Sequence, residues 1–242
     1  MGSNESAMRR MAEEAKEMKN EPKPMWGIKK APKKVIEFNS RVGGRYRPLS
    51  NFCEVPGGIK WKGKRYPSSE HIYQMELKVH KSCWHMFECG GVLGSLGSGF
   101  KAMGYKNDEL KKSLKAWGPI ESSGRPCMVG IIAKLAINHP AWVEGLKVLE
   151  RPENDRTEAE LIDVFMPILR AKWRDFKDYR DALKAVPKGT TLVEFSARAE
   201  REARAHRSPL WTGHVKDGYL FGRNLGGRLM TMVRKEMLES EE

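Results

Sequence analysis

The chain has 242 residues, 40% of them hydrophobic, enough apolar material for one large core with extensions. Lysine and arginine outnumber aspartate and glutamate 44 to 31, and the resulting formal charge of +13 points to anionic partners: phosphates, nucleotides or nucleic acid. With no apolar run near the roughly 18 residues of a membrane span, no apolar signal region at the start and only four cysteines, the expectation is a cytoplasmic protein without a disulfide framework or transmembrane segment.

Residues 1–34 are poor in large apolar side chains and carry Lys29-Lys30 and Lys33-Lys34, which reads as a basic, disordered extension. Val35 to Phe38 alternates as a first short strand. Gly43, Gly44 and Pro48 break the chain before Ser50-Asn51-Phe52, a turn whose small polar side chains can bond backbone or ligand. After Pro56-Gly57-Gly58, Ile59 to Arg65 alternates apolar and basic residues around Trp61 as an edge strand would. Pro67 holds Tyr66 extended, and Ser68 or Ser69 offers an N-cap oxygen. Glu70 then sits in the first turn of a helix running to about Lys81, with Ile72, Tyr73 and Met75 facing a core.

His80, Cys83, His85 and Cys89 are zinc-type ligands, but a single residue separates the middle pair, unlike the long loop between the ligand pairs of ordinary fingers, so no metal is expected. The glycine-rich stretch 90–99 lacks the Gly-Lys-Ser/Thr ending of a phosphate loop and reads as a flexible insertion. Asn107 caps a helix bearing Leu110, Leu114 and Trp117; a second helix carries Met128, Ile131, Ile132 and Leu135 and stops near Pro140. Thr157-x-x-Glu160 is a capping box, and Pro167 kinks or restarts the helix it opens, which Trp173, Phe176 and Leu183 carry to Pro187. Thr190 to Phe195 is a buried-type strand. Residues 197–207 read as a solvated helix with no apolar face, and Asn224 caps a last helix bearing Leu225, Leu229, Met232 and Val233.

Several of these fragments resemble, in order, one known family. Tyr46-Arg-Pro-Leu-Ser-Asn-Phe52, Gly63-Lys-Arg-Tyr-Pro-Ser-Ser-Glu-His-Ile-Tyr-Gln74, Phe100-Lys-Ala-Met-Gly104, Trp117, Leu192-Val-Glu194, Trp211 and Gly222-x-Asn224-Leu-Gly-Gly227 look like the motifs of the NADAR (YbiA-like) family over residues 36–235. The resemblance implies a compact, mostly helical α+β domain with a few short strands, placed here at residues 35–238. It also implies cleavage of ribose C1–N bonds in phosphate-bearing ribosylated metabolites or ADP-ribosylated bases, with no cofactor.

Such a cleavage passes through an oxocarbenium-like sugar, which calls for a carboxylate, flat groups around a base and cations around phosphate. Glu70 is the expected catalytic carboxylate. Ser50, Asn51, Phe52, His71, Tyr73, Gln74, Trp117, Trp211, Gly222 and Asn224 are the expected substrate contacts, and Arg47, Lys101 and Arg223 the expected phosphate contacts. Asn224 would both cap its helix and touch ligand, with Gly222 admitting a phosphate or ribose close to the backbone. One departure stands out: the family often places a lysine seven residues after the glutamate, where this chain has Leu77. Position 77 would share the Glu70 face of the helix, whereas Lys78 lies about 80° round from Glu70. That leaves two alternatives: a weakened domain that binds NAD or ADP-ribose, and a basic nucleic-acid-binding module.

Overall fold

The computed structural model describes residues 28–40, 44–106, 128–149, 156–207 and 209–240. Its strands are β1 (Ile28–Lys30), β2 (Val35–Phe38), β3 (Ile59–Trp61), β4 (Lys64–Tyr66), β5 (Thr191–Glu194), β6 (His214–Lys216) and β7 (Tyr219–Phe221). The helices are α1 (Ser69–Lys78), α2 (Leu96–Ala102), α3 (Gly130–Ala136), α4 (Pro140–Val143), α5 (Glu158–Asp175), α6 (Lys177–Lys184), α7 (Arg198–Arg204) and α8 (Leu225–Glu239), with 3-10 turns at Gly44–Leu49 and Lys81–Phe87. The fold is mixed α/β, with about half of the described residues in helices and the strands few and short. Among the described residues no helix is long and apolar enough to cross a membrane.

Three small sheets tie the ends of the chain to the helical body. β2 pairs in parallel with β5, Phe38 opposite Glu194, so most of the helices lie on the crossover between them. β1 joins β7 and β6 in an antiparallel sheet of order β1-β7-β6. Residues 28–30, expected as part of a disordered extension, are therefore an edge strand, because their backbone completes the open side of the β6–β7 hairpin. The expected single strand 59–65 is likewise a hairpin. Lys62 (φ 47°) and Gly63 (φ 82°) form a two-residue turn of the kind that matches strand twist, folding Lys64–Tyr66 back on Ile59–Trp61.

α5 is the spine, packing against α1, β3, α6 and α8. Its start has both halves of the capping box, with Thr157 Oγ1 accepting from Glu160 N at 3.2 Å and the Glu160 carboxylate accepting from Thr157 N at 2.8 Å. Leu161, Phe165, Ile168 and Leu169 are buried to 1% exposure or less, and the helix continues through Pro167. Losing one backbone bond at proline costs about 3 kcal/mol, whereas each buried apolar side chain contributes about 1.5–3 kcal/mol, so packing outweighs the break. The helix is not restarted at Pro167; it ends at Asp175, with Phe176 leading into α6.

Other expectations are corrected by packing. α1 stops at Lys78, three residues early. α7 does have a buried side, Ala199 and Ala203, both fully covered. The stretch 90–99 is packed rather than loose. A Cβ at Gly91 would meet His85 O at 2.4 Å and one at Gly94 would meet Glu88 O at 2.1 Å, while Leu93 is fully buried and Ser95 caps α2. The helix expected from Asn107 to Trp117 lies outside the described residues.

Candidate active site

Pro67 and Ser68 set the entry to α1. Ser68, in an extended conformation, accepts from His71 N at 3.4 Å, and Asn51 O accepts from Glu70 N at 3.0 Å, so two of the orphan N–H groups of the first turn are satisfied. The Ser50–Phe52 turn is thereby fastened to the helix start, and Ser69 Oγ also donates to Asn51 Oδ1 at 3.2 Å. Glu70 is buried, 6% exposed, and one turn along Gln74 Nε2 donates to Glu70 Oε1 at 2.6 Å. The start of α3 closes on the same spot: a Cβ at Gly130 would lie 2.8 Å from Glu70 Cβ and 2.7 Å from Phe52 Cα.

A second buried carboxyl is electrostatically coupled to Glu70. Glu194, the last residue of β5, is 7% exposed, and its Oε2 is buried with no hydrogen-bond partner. It lies against the start of α8, where a Cβ on Gly226 would fall 1.8 Å from that oxygen. Burial raises the Glu194 pKa to about 7, reinforced by the charge of Glu70 and opposed by Lys134 and Lys172. Lys172 is fully buried on α5, donates to Ser50 O at 2.7 Å and lies 4.7 Å from the Tyr179 ring centroid. Burial lowers its pKa to about 8 against the pull of Cys53 and Glu194. Lys134 reaches in from the surface over the Phe52 ring, at 5.7 Å.

The other expected contacts divide into those near this pair and those committed elsewhere. Trp211 is half-buried, its ring 5.2 Å from both Tyr73 and Phe165, and its carbonyl accepts from Gly226 N at 3.0 Å, beside Glu194. Asn224 stands at the start of α8 without capping it. In a left-handed conformation (φ 54°), it turns its amide to β5, accepting from Glu194 N at 2.9 Å and donating to Leu192 O at 2.8 Å. Gly222 (φ 89°) packs on the chain itself rather than on open space, since a Cβ there would meet Thr212 O at 2.3 Å.

His71 is fully buried: Leu93 O can only accept, so Nε2 carries the proton to it at 3.0 Å and Nδ1 accepts from the Ser68 hydroxyl at 2.8 Å. It ties α1 to the 90–95 loop instead of offering a ligand contact. Arg223, expected as a phosphate contact, is engaged by Glu158, which also holds Arg228 at 2.6 Å. Lys101 is exposed on α2, and Arg47 lies on the 3-10 turn that packs against α6. Trp117 lies outside the described residues. His80 and His85 bond to Ser82 and Cys83 donates to Gly145 O, and among the described residues no three His, Cys, Asp or Glu side chains are grouped to hold a metal.

No known protein family, curated protein or solved structure matches the chain. The chemistry of the site therefore stands on its geometry: two buried carboxyls and one buried ammonium, bordered by Trp211 and Phe52. A cleft of about 460 Å³ between α5 and α8, lined by Ile162, Met166, Met232 and Lys235 among others, contains none of these residues. Sequence reasoning quoted Glu194 without giving it a role, and passed over Lys134 and Lys172. The signals were there: an acidic residue in a strand otherwise read as buried, and a lysine continuing the Leu161, Phe165, Ile168 stripe at helical spacing.

Proposed function

We propose that the chain hydrolyses a ribose C1–N bond in a phosphate-bearing ribosylated compound or an ADP-ribosylated base. Glu70 is the carboxylate that activates water or steadies the positive charge growing on the sugar. One observation carries this reading: Glu70 and Glu194 are both buried and electrostatically coupled, and burial, reinforced by the charge of Glu70, raises the Glu194 pKa to about 7. Structural carboxyls are seldom paired this way, because like charges destabilise each other out of water. Half-buried Phe52 and Trp211 supply flat surfaces at the edge, and exposed Lys134 a cation for phosphate. Leu77, at the usual lysine position of the resembled family, is 2% exposed and packs in the core, so no lysine acts from that place on α1.

The test is release of free base or ADP-ribose from phosphoribosylated and ADP-ribosylated substrates. Glu70→Gln is expected to lose at least about two decades of turnover while retaining product affinity, as general-base catalysis is worth about 10²–10⁴-fold. Turnover at the wild-type level in that variant eliminates the mechanism. Binding of ADP-ribose by a wild-type protein that turns over nothing selects the weakened binder instead.

A second reading, engagement of nucleic acid, has its own observation. The register aligns Lys30, Tyr219 and Lys216 in one cross-strand row of the β1-β7-β6 sheet, and Tyr219 is 50% exposed. An aromatic flanked by cations suits a stacked base and its phosphates, although Lys216 is also held by Glu200 at 3.0 Å. Affinity for a single-stranded oligonucleotide is then expected to fall steeply with salt, and Lys30→Ala should reduce the slope of log affinity on log salt by about 0.7. An unchanged slope removes this surface from consideration.

A further inference from the structure

We infer that Glu194 is a second acid–base residue of the site, holding the proton that Glu70 lacks and delivering it to the departing nitrogen. The inference rests on the reading of the site as a ribose C1–N hydrolase and adds the group that makes the base a good leaving group. Three observations support it. Glu194 ends a buried strand within electrostatic reach of Glu70, and its Oε2 is buried without a partner, whereas a glutamate kept for structure has its buried oxygens satisfied. The place of that oxygen is kept open by Gly226, where even a methyl group would occupy its position. Gln74 Oε1, on the side chain that donates to Glu70, is also buried without a partner and offers an acceptor to the O–H or N–H groups of a ligand such as a ribose.

The charged groups acting on Glu194 come from three elements: Glu70 on α1, which opposes its ionisation, and Lys134 on α3 and Lys172 on α5, which favour it. Burial and Glu70 prevail, which keeps the carboxyl protonated up to about pH 7. The step then balances. The C1–N bond breaks and the nitrogen takes the Glu194 proton. Water adds to C1 and gives a proton to Glu70. Transfer of that proton from Glu70 to Glu194 restores the starting state, with no oxidant, reductant or metal consumed.

The prediction separates an acid from a merely structural glutamate through the leaving group. A pyridinium riboside such as NAD releases a neutral base and needs no proton, whereas a riboside of an amino-pyrimidine or of guanine must be protonated as it leaves. Across a series of ribosylated substrates graded in leaving-group basicity, Glu194→Gln is expected to lose about 10²–10⁴-fold in kcat/KM on the substrates that need a proton and less than about tenfold on those that do not. Glu70→Gln should lose activity on all of them. Glu194→Asp, which keeps the acid one methylene shorter, should recover part of the loss, and thermal unfolding of each variant checks that it is folded. Equal losses across the series, or none, overturn the role of Glu194 and leave the hydrolase reading standing. A folded wild-type protein that cleaves none of the series overturns both.

Discussion

The residue on which most depends is Gly226, because the fit of Glu194 beneath α8 is only as good as the hydrogen in place of its side chain. Gly226→Ala puts a Cβ 1.8 Å from Glu194 Oε2 and 3.1 Å from Trp211 O, so the carboxyl must leave its position or the helix must move. Overpacking of this kind costs about 1–3 kcal/mol, and the loss should appear as a lower denaturant midpoint with an unchanged slope. If the collision is with Glu194, the Gly226→Ala/Glu194→Ala double variant will be less destabilised than the two singles added together. Strict additivity would place the crowding elsewhere. Residues of this sort are where a sequence is hardest to read. Glu70 and the cap at Ser68 were legible, since they depend on neighbours in the chain. The bonds from Asn224 to Leu192 and Glu194, the burial of His71 and the ion pair of Arg223 with Glu158 depend on partners far along it.

At the scale of elements, legibility follows the range of the deciding interaction. β2, the Thr157 capping box and the start of α8 are each set by short local patterns, and each stands at or next to the expected residues. Both hairpins were missed although their turn signals are local. Asp217-Gly218, with φ of 50° and 78°, repeats the Lys62-Gly63 geometry, but its flanking strands are three residues each, too short for alternation to register. β1 is an element only because β7 offers it an edge, and the parallel union of residues 35–38 with 191–194 requires the whole helical crossover to form first. This long closure brings β5, with Glu194, onto the helical body that carries Glu70 on α1 and Lys172 on α5. The site was thus half visible in the sequence: one carboxyl stood in a local helix-start motif, and the other became meaningful only with the tertiary pairing.

At the scale of the whole molecule, the two most perturbed acid-range groups predict an unusual dependence of stability on pH. Glu194 has its pKa raised from 4.5 to about 7, so folding favours its protonated form, and the stability it contributes at low pH is lost as pH rises from 4.5 through about 7. His71 has its pKa lowered from 6.5 to about 4, chiefly by burial, so folding favours its neutral form, and its contribution at neutral pH is lost as pH falls from 6.5 through about 4. The shifts are similar in size, about 3 kcal/mol each at 1.36 kcal/mol per pH unit, and opposite in sign over nearly the same window. The two slopes should largely cancel in the wild-type protein. Glu194→Gln removes one of them and leaves the other, so its stability relative to wild type is expected to climb by up to about 3 kcal/mol between pH 4.5 and 7. Denaturant titrations of both proteins at intervals across that range measure the difference directly, and every other carboxyl that is unaltered by the substitution drops out of it. Parallel curves would mean that Glu194 titrates as an ordinary glutamate, and the proton assigned to it would have to reside on another group.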